Sequence, residues 1–282
     1  MAGVSTKAIK TRMKSMASTR QITKAMELVA SSKLRSAQAK AVACRPYFTA
    51  LYEAMNEIAD SSRTFDSPYL RTGGTGKTIF IAIAGDRGLA GGYNNSVLKL
   101  AYSQMPQDAV VLPIGKKAVE FFQHRGSEIL TEDYREAAAV SIGDCYSIAR
   151  FLADGFLAGT YDSVVLAYTN FVSMLAQTPA TLPLLPLKMS AQKRDDAHRC
   201  DILYEGGSET VFNAIVPEYL GGVLYGAMCE SVASEQAARR TAMDAASKNA
   251  DEIIEALNLQ YNRARQGAIT QEITEIVAGS EN

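Results

Sequence analysis

The two ends of this chain are long and locally uninterrupted. Neither glycine nor proline occurs between Gly3 and Pro46, or from Ala227 to Gln266. The first is rich in Ala, Lys, Met, Gln and Arg, which lose little on entering a helix. Forty helical residues span about 60 Å and seventy span about 105 Å, more than a compact domain encloses. The economical arrangement pairs the two ends as an antiparallel two-helix coil. Two ordinary bundle helices within one globule are the competing arrangement.

Apolar residues recur at helical spacing on both ends. On the first they are Ile9, Met13, Met16, Ile22, Met26, Val29, Leu34, Ala37 and Ala41. On the second, an expected seam of apolar and small residues runs through Leu220, Leu224, Ala227, Ser231, Ser234, Ala238, Thr241 and Ala245. Ile253, Leu257, Tyr261 and Ala264 lie toward the tip. Gly206-Gly207-Ser208 marks the start of the second helix, and Pro217 an early kink. The net charge of −1 hides an asymmetry. Up to Arg45 the only acid is Glu27, against ten Lys and Arg, whereas acids outnumber bases from Glu218 onward. Opposite charge on the two ends is consistent with their pairing or with two different partners.

The middle alternates strand-like and helix-like stretches. Thr78–Ala84 is an Ile-rich run suited to a strand covered on both faces. A Gly-rich turn and a helix near Asn94–Met105 follow. Further along come a strand over Ala109–Ile114, helices over Lys116–His124 and Ile142–Leu157, and a strand over Ser163–Tyr168. Ala180–Leu187, broken by Pro183 and Pro186, reads as an edge strand. This order implies βαβ units and a Rossmann-like, mainly parallel sheet. The expected organisation is a coiled-coil helix over residues 1–60, an exposed and mobile linker over 61–76, an α/β domain over 77–205 and a second coiled-coil helix over 206–282.

Composition narrows the chemistry. An apolar fraction of 47% allows a packed core. Cys44, Cys145, Cys200 and Cys229 form no CxxC pair, so buried thiols in a reducing compartment are expected, not disulfides or zinc. The N-terminus lacks the apolar region of a signal peptide. No apolar stretch approaches the roughly twenty residues that cross a bilayer, so no direct membrane insertion is expected. His124 and His198 have no metal-ligand spacing around them, and no GxSxG is present. No catalytic residues, metal or cofactor are therefore expected.

Two glycine-rich stretches need weighing. Gly74-Thr75-Gly76-Lys77-Thr78 looks at first like a phosphate loop. Arg71 stands where that pattern needs its first glycine, and the strand follows the Lys instead of preceding it. Gly85-Asp86-Arg87-Gly88-Leu89-Ala90-Gly91-Gly92-Tyr93-Asn94 does lie between a strand and a helix. Its glycines are spaced by three, unlike a dinucleotide fingerprint, and a structural or partner-binding turn outweighs a ligand site. The basic first helix lacks the interleaved aromatics of a nucleic-acid binder. On residues alone, a nucleotide-binding α/β protein with helical extensions and a nucleic-acid-binding coiled coil remain open.

Three stretches resemble the gamma subunit of F-type ATP synthases. One is Ile9–Gln38, above all Gln21-Ile22-Thr23-Lys24-Ala25-Met26-Glu27-Leu28-Val29-Ala30-Ser31-Ser32-Lys33. Another is the Gly85–Asn94 turn. The third is Ser231–Gly279, with Ala233-Ser234-Glu235-Gln236-Ala237-Ala238-Arg239 and Tyr261-Asn262-Arg263-Ala264-Arg265-Gln266-Gly267-Ala268-Ile269-Thr270-Gln271-Glu272-Ile273-Thr274-Glu275-Ile276. Gly279-Ser280 departs from the usual Gly-Ala, and Ala90 stands where many relatives have Cys.

The resemblance implies a non-catalytic central-stalk rotor, one copy per complex, inside a hexamer of alpha and beta subunits. Its α/β domain would meet the epsilon subunit and the c-ring, with no nucleic-acid partner. It implies partner-binding or coupling roles for Met26, Lys24, Glu235, Arg239, Arg265, Gln266, Thr270 and Glu272. Gly85, Asp86, Gly88, Gly91 and Asn94 would form a structural turn. The chloroplast regulatory insertion and a mitochondrial transit peptide are both missing. A bacterial protein, peripheral on the cytoplasmic side of the cell membrane, is therefore expected.

Overall fold

The computed structural model describes residues 6–60, 65–72, 74, 76–188 and 204–280. Its elements run α1 (Thr6–Asp60), a 3₁₀ turn (Pro68–Leu70), β1 (Lys77–Ile83), α2 (Tyr93–Gln104), β2 (Val110–Ile114), α3 (Lys116–Gln123), β3 (Glu128–Ile129), α4 (Ile142–Leu157), β4 (Tyr161–Phe171), β5 (Gln177–Leu185) and α5 (Ser208–Ser280). The chain divides into two compact units. One holds the described residues of Met1–Ser31 and Arg239–Asn282, the other those of Ser32–Ala238.

In the second unit the strands form one sheet in the order β3-β2-β1-β4-β5. The first four pair in parallel, and β5 runs antiparallel at the edge, where its Pro179 and Pro183 are tolerated. Strand β1 shows how the residues choose their layer. Ile79, Ile81 and Ile83 belong to one core cluster with Ile148 and Leu152 of α4, Phe212, Leu220 and Leu224 of α5, and Met55 and Ile58 of α1. Ala82 and the following Ala84 belong to the opposite cluster with Val97, Leu98 and Ala101 of α2 and Phe122 of α3. The period of two puts the three isoleucines on one face and the two alanines on the other.

Helix α5 completes this layer with polar contacts as well. Ser231 accepts from the Thr169 amide at 3.3 Å, and the Ser234 hydroxyl donates to the Thr169 carbonyl at 3.2 Å. Another side of α5 meets α1, where Ala233 and Ala237 cluster with Leu34 and Ala37.

The stretch expected to be a mobile linker is docked where it is described; 61–64, 73 and 75 lie outside the described residues. Ser67 caps the 3₁₀ turn and donates to Asn213 Oδ1 at 2.7 Å. Phe65 packs edge-on against Phe212 with centroids 4.9 Å apart. Tyr69 is buried, stacks on Phe156, and accepts from the Leu187 amide through its carbonyl. Two aromatic rings in a polar stretch bring more apolar area than solvent exposure favours, so they anchor it.

The first unit is an antiparallel pair of helices. Arg20 pairs with Asp251, and the hydroxyls of Thr23 and Ser247 are 2.7 Å apart and buried. As the number rises on α1 it falls on α5. The buried positions include Ile9, Thr23 and Ala30 on α1 and Met243, Ser247, Ala250 and Leu257 on α5. These fit a heptad repeat of alternating three- and four-residue steps.

The expected positions Ile9, Leu34, Ala37 and Leu257 are buried as the periodicity predicts, and the structure corrects others. Ile22 and Val29 are 61% and 56% exposed, and Thr241, Ala245 and Ile253 also face solvent. The error has a physical cause on each helix. On α1 the buried Thr23 and Ala30 are polar or small, so their larger apolar neighbours Ile22 and Val29 drew the assignment. On α5, Ser231 and Ser234 face the sheet, and carrying their face onward leads to Thr241 and Ala245. The side of α5 that carries Ala233 is the one a seam requires. Helix α5 also runs on through Pro217, and α1 through Pro46.

Candidate functional site

The glycine-rich turn leaves the carboxyl end of β1. Gly85 is buried; its N–H donates to Asn94 Oδ1 at 2.8 Å, and Asn94 Nδ2 donates to the Arg87 carbonyl at 3.2 Å. The Asp86 carboxylate accepts three backbone N–H groups: Lys116 at 3.2 Å, Ala137 at 2.8 Å and Ala138 at 3.1 Å. The Gly85 carbonyl accepts from the Lys117 amide. Gly91 and Leu89 both take positive φ, at 56° and 62°. Gly88 is exposed with open space beside it. Asp86 and Asn94 thus tie the turn to the start of α3 and to the segment before α4. Both side chains act on main-chain groups, which leaves the turn shaped by its own hydrogen bonds.

Gly115 escaped sequence reasoning. Its φ is +98°, and a Cβ there would fall 2.1 Å from the Ala84 carbonyl oxygen. Its position between a strand and a helix is the only signal the sequence offers. Lys77 of the phosphate-loop lookalike lies in β1, and its ammonium pairs with Glu128 at 2.6 Å.

The eight expected coupling residues fall into three groups. Lys24 and Met26 sit beside the seam of the first unit. The exposed Lys24 ammonium is 2.9 Å from Glu27, whose side chain is largely buried, and Met26 is half-buried. Glu235 and Arg239, one helical turn apart on α5, are both half-buried. Glu235 is brought against the turn, because a Cβ on Gly85 would lie 2.7 Å from its Oε1. Arg265, Gln266, Thr270 and Glu272 are all exposed near the end of α5, where the Thr270 hydroxyl bonds back to the Gln266 carbonyl. With Thr23 opposite Ser247, α1 begins at Thr6 opposite a residue near Ala264. The last turns of α5 therefore extend past the described start of α1.

Large apolar side chains are exposed throughout the first unit. On α1 these are Ile22, Leu28 and Val29; on α5 they are Leu259, Ile269, Ile273, Ile276 and Val277, besides Ile253. Sequence reasoning missed Leu28 and misassigned Ile22 and Val29 to the seam. Among the described residues no group of His, Cys, Asp and Glu could hold a metal ion, and no helix is long and apolar enough to cross a membrane. Burial pushes the Cys145 thiol up to about 12 and also raises that of Cys229, as expected of structural cysteines.

The architecture combines a two-helix coil built from both chain ends with an α/β domain formed by the sequence between them. The family model described as ATP synthase matches residues 5–282. The ATP synthase gamma chain of Ruminococcus albus is 45% identical, with 98% of each chain covered. That of Lachnoclostridium phytofermentans is 41% identical, over 96% of this chain and 97% of its own. A chain in the mitochondrial ATP synthase structure of Euglena gracilis shares the fold with a TM-score of 0.64 at 16% identity, covering 98% of this chain and 93% of its own. The chain belongs to the ATP synthase gamma-chain family.

Proposed function

We propose that this chain is the central-stalk rotor of a bacterial F-type ATP synthase, present once per complex and non-catalytic. Its two-helix unit stands in the cavity of an alpha/beta hexamer, and its α/β domain meets the epsilon subunit and the c-ring. It sits peripherally on the cytoplasmic side of the cell membrane. Residues 1–60 and 206–282 act as the shaft, 77–205 as the domain gripped by the ring, and 61–76 as their connection.

One observation carries this reading. The two-helix unit buries the small or polar Thr23, Ala30, Ser247 and Ala250 beside Ile9, Met243 and Leu257, and exposes Ile22, Leu28, Val29, Leu259, Ile269, Ile273, Ile276 and Val277. Contiguous exposed apolar surface marks an interaction site. A shaft needs a stiff axis and an apolar outer surface that slides in a sleeve. Rotation then presents each beta subunit with a different side of the shaft. Such a shaft acts as a moving ligand, shifting a subunit between states by contacting one better than another.

Within this reading Met26, Lys24, Glu235 and Arg239 couple rotation to the catalytic subunits. Arg265, Gln266, Thr270 and Glu272 contact them near the far end of the shaft. The turn of Gly85, Asp86, Gly88, Gly91 and Asn94 supports the coupling side chains. Met26→Lys places a charge beside the seam, where it adds an ionic contact to a neighbouring beta subunit. Enzyme carrying it is expected to keep ATP hydrolysis while gradient-driven synthesis falls at least about tenfold. Normal synthesis would remove Met26 from the coupling set. Failure of the tagged chain to co-purify with alpha, beta and epsilon subunits would remove the rotor role altogether.

A further inference from the structure

At two glycines at the carboxyl end of the sheet an added side chain would meet an obstacle, of a different kind at each. Gly115 takes φ +98°, a conformation that favours glycine wherever it occurs. Gly85 is not among the positive-φ glycines, so its backbone suits any residue. What a side chain would meet there is the end of the Glu235 side chain. A Cβ on Gly85 would lie 2.7 Å from Glu235 Oε1, 2.8 Å from Cδ and 3.2 Å from Oε2.

The backbone at this point is held from two directions. Its N–H is fixed by Asn94 of α2, and its carbonyl by the amide of Lys117 in α3. Glu235 lies on α5 between Ser234, bonded to Thr169 of β4, and Ala237, packed with Leu34 and Ala37. The backbones on both sides are held, so a side chain at Gly85 would displace the Glu235 carboxylate, the flexible end of its side chain.

We propose that Gly85 is a positioning residue for Glu235. Its missing side chain is the seat on which the Glu235 carboxylate rests, and the turn thereby sets where that carboxylate lies beside α5. The inference builds on the coupling role proposed for Glu235. It also gives the glycine-rich turn a specific role, since its hydrogen bonds hold the seat rigid.

The test uses the complete enzyme in membrane vesicles carrying Gly85→Ala, Glu235→Ala, Glu235→Asp and the two double variants. The readouts are the ratio of gradient-driven ATP synthesis to ATP hydrolysis, and the amount of chain assembled with its partners. A merely structural role moves assembly and both rates together; a positioning role moves the ratio. Gly85→Ala is expected to lower the ratio about fivefold, and to have no further effect in the Glu235→Ala background. Glu235→Asp, one methylene shorter, is expected to restore part of the loss.

An equal loss in both backgrounds overturns the proposal, as does an unchanged ratio in Gly85→Ala alone. If Gly85→Ala does not accumulate, recovery of assembled enzyme by either change at Glu235 supports the seat, and no recovery overturns it. If Glu235→Ala couples normally, the coupling role of Glu235 fails instead. The seat is then read from thermal stability. It stands if Gly85→Ala destabilises the chain that keeps Glu235 and leaves the Glu235→Ala chain, where the space is already free, unchanged. It falls if the destabilisation is the same in both.

Discussion

The two compact units bury helix surface by opposite chemistry. In Ser32–Ala238 the interior is Ile, Leu, Phe and Val, drawn from a sheet and the helices on its faces. In the two-helix unit four of the buried positions are Thr23, Ala30, Ser247 and Ala250, beside Ile9, Met243 and Leu257, while Ile22, Leu28, Val29, Ile273 and Ile276 point outward. The first kind of interior stabilises itself. The second kind gains much less from burial, because a methyl or hydroxyl removes little apolar area from water. The difference teaches where the chain is complete and where it is one half of an interface.

The largest test of that contrast is Ile81→Ala, in the middle of β1. It removes a fully buried branched side chain and is expected to cost about 2–5 kcal/mol in denaturant unfolding of the chain. A cost below about 1 kcal/mol would mean that the sheet core is not the stable centre of the chain.

Next comes a pair of substitutions that separates the observed seam from the one periodicity suggests. Ala30→Leu puts three extra carbons into a fully buried seam position and is expected to destabilise by about 1–3 kcal/mol. Ala245→Leu, on the exposed side of α5, is expected to stay within about 0.5 kcal/mol. The reverse order would restore the seam through Thr241 and Ala245.

A smaller effect is expected at the buried hydroxyl pair. Thr23→Val leaves the buried Ser247 hydroxyl without this partner and should cost about 1 kcal/mol, and Ser247→Ala less, since the Thr23 hydroxyl still donates to the Arg20 carbonyl. The double variant should cost less than the two single losses added together. Simple additivity would show that the bond contributes nothing.

Thiol labelling distinguishes positions without changing stability. Cys145, fully buried with its thiol pushed up to about 12, is expected to react with a thiolate-selective reagent at neutral pH more than about tenfold slower than the half-buried Cys44. Equal rates would show that the packing around α4 opens readily.

The sheet was readable because its strands announce themselves. Thr78–Ala84 is an unbroken apolar run, and it becomes β1 almost to the residue. The edge strand was marked by its prolines, and both long helices by the absence of breakers. The seam was readable only in part: Ile9, Leu34, Ala37 and Leu257 are buried as their spacing predicts, but elsewhere hydrophobicity and burial part company. Ile22 outranks Thr23 on any apolar scale, yet Thr23 is the buried one because its hydroxyl finds Ser247. The connector was misread for a related reason. Its many polar residues outvoted Phe65 and Tyr69, two rings that decide where it lies. Of the turn, the glycines were legible. That Asp86 would gather amides from Lys116, Ala137 and Ala138 depends on contacts distant in sequence. So does the approach of Glu235 to Gly85.

The pairing of the two chain ends is tested most directly by a cross-link at its centre. The Thr23 and Ser247 oxygens are 2.7 Å apart, so Thr23→Cys with Ser247→Cys places two sulfurs within reach of a bond. In assembled enzyme under mild oxidation, peptide mapping should find this disulfide. ATP hydrolysis should continue, since a rotor turns as one body. Absence of the bond, or a bond that stops turnover, would contradict an antiparallel shaft in this register.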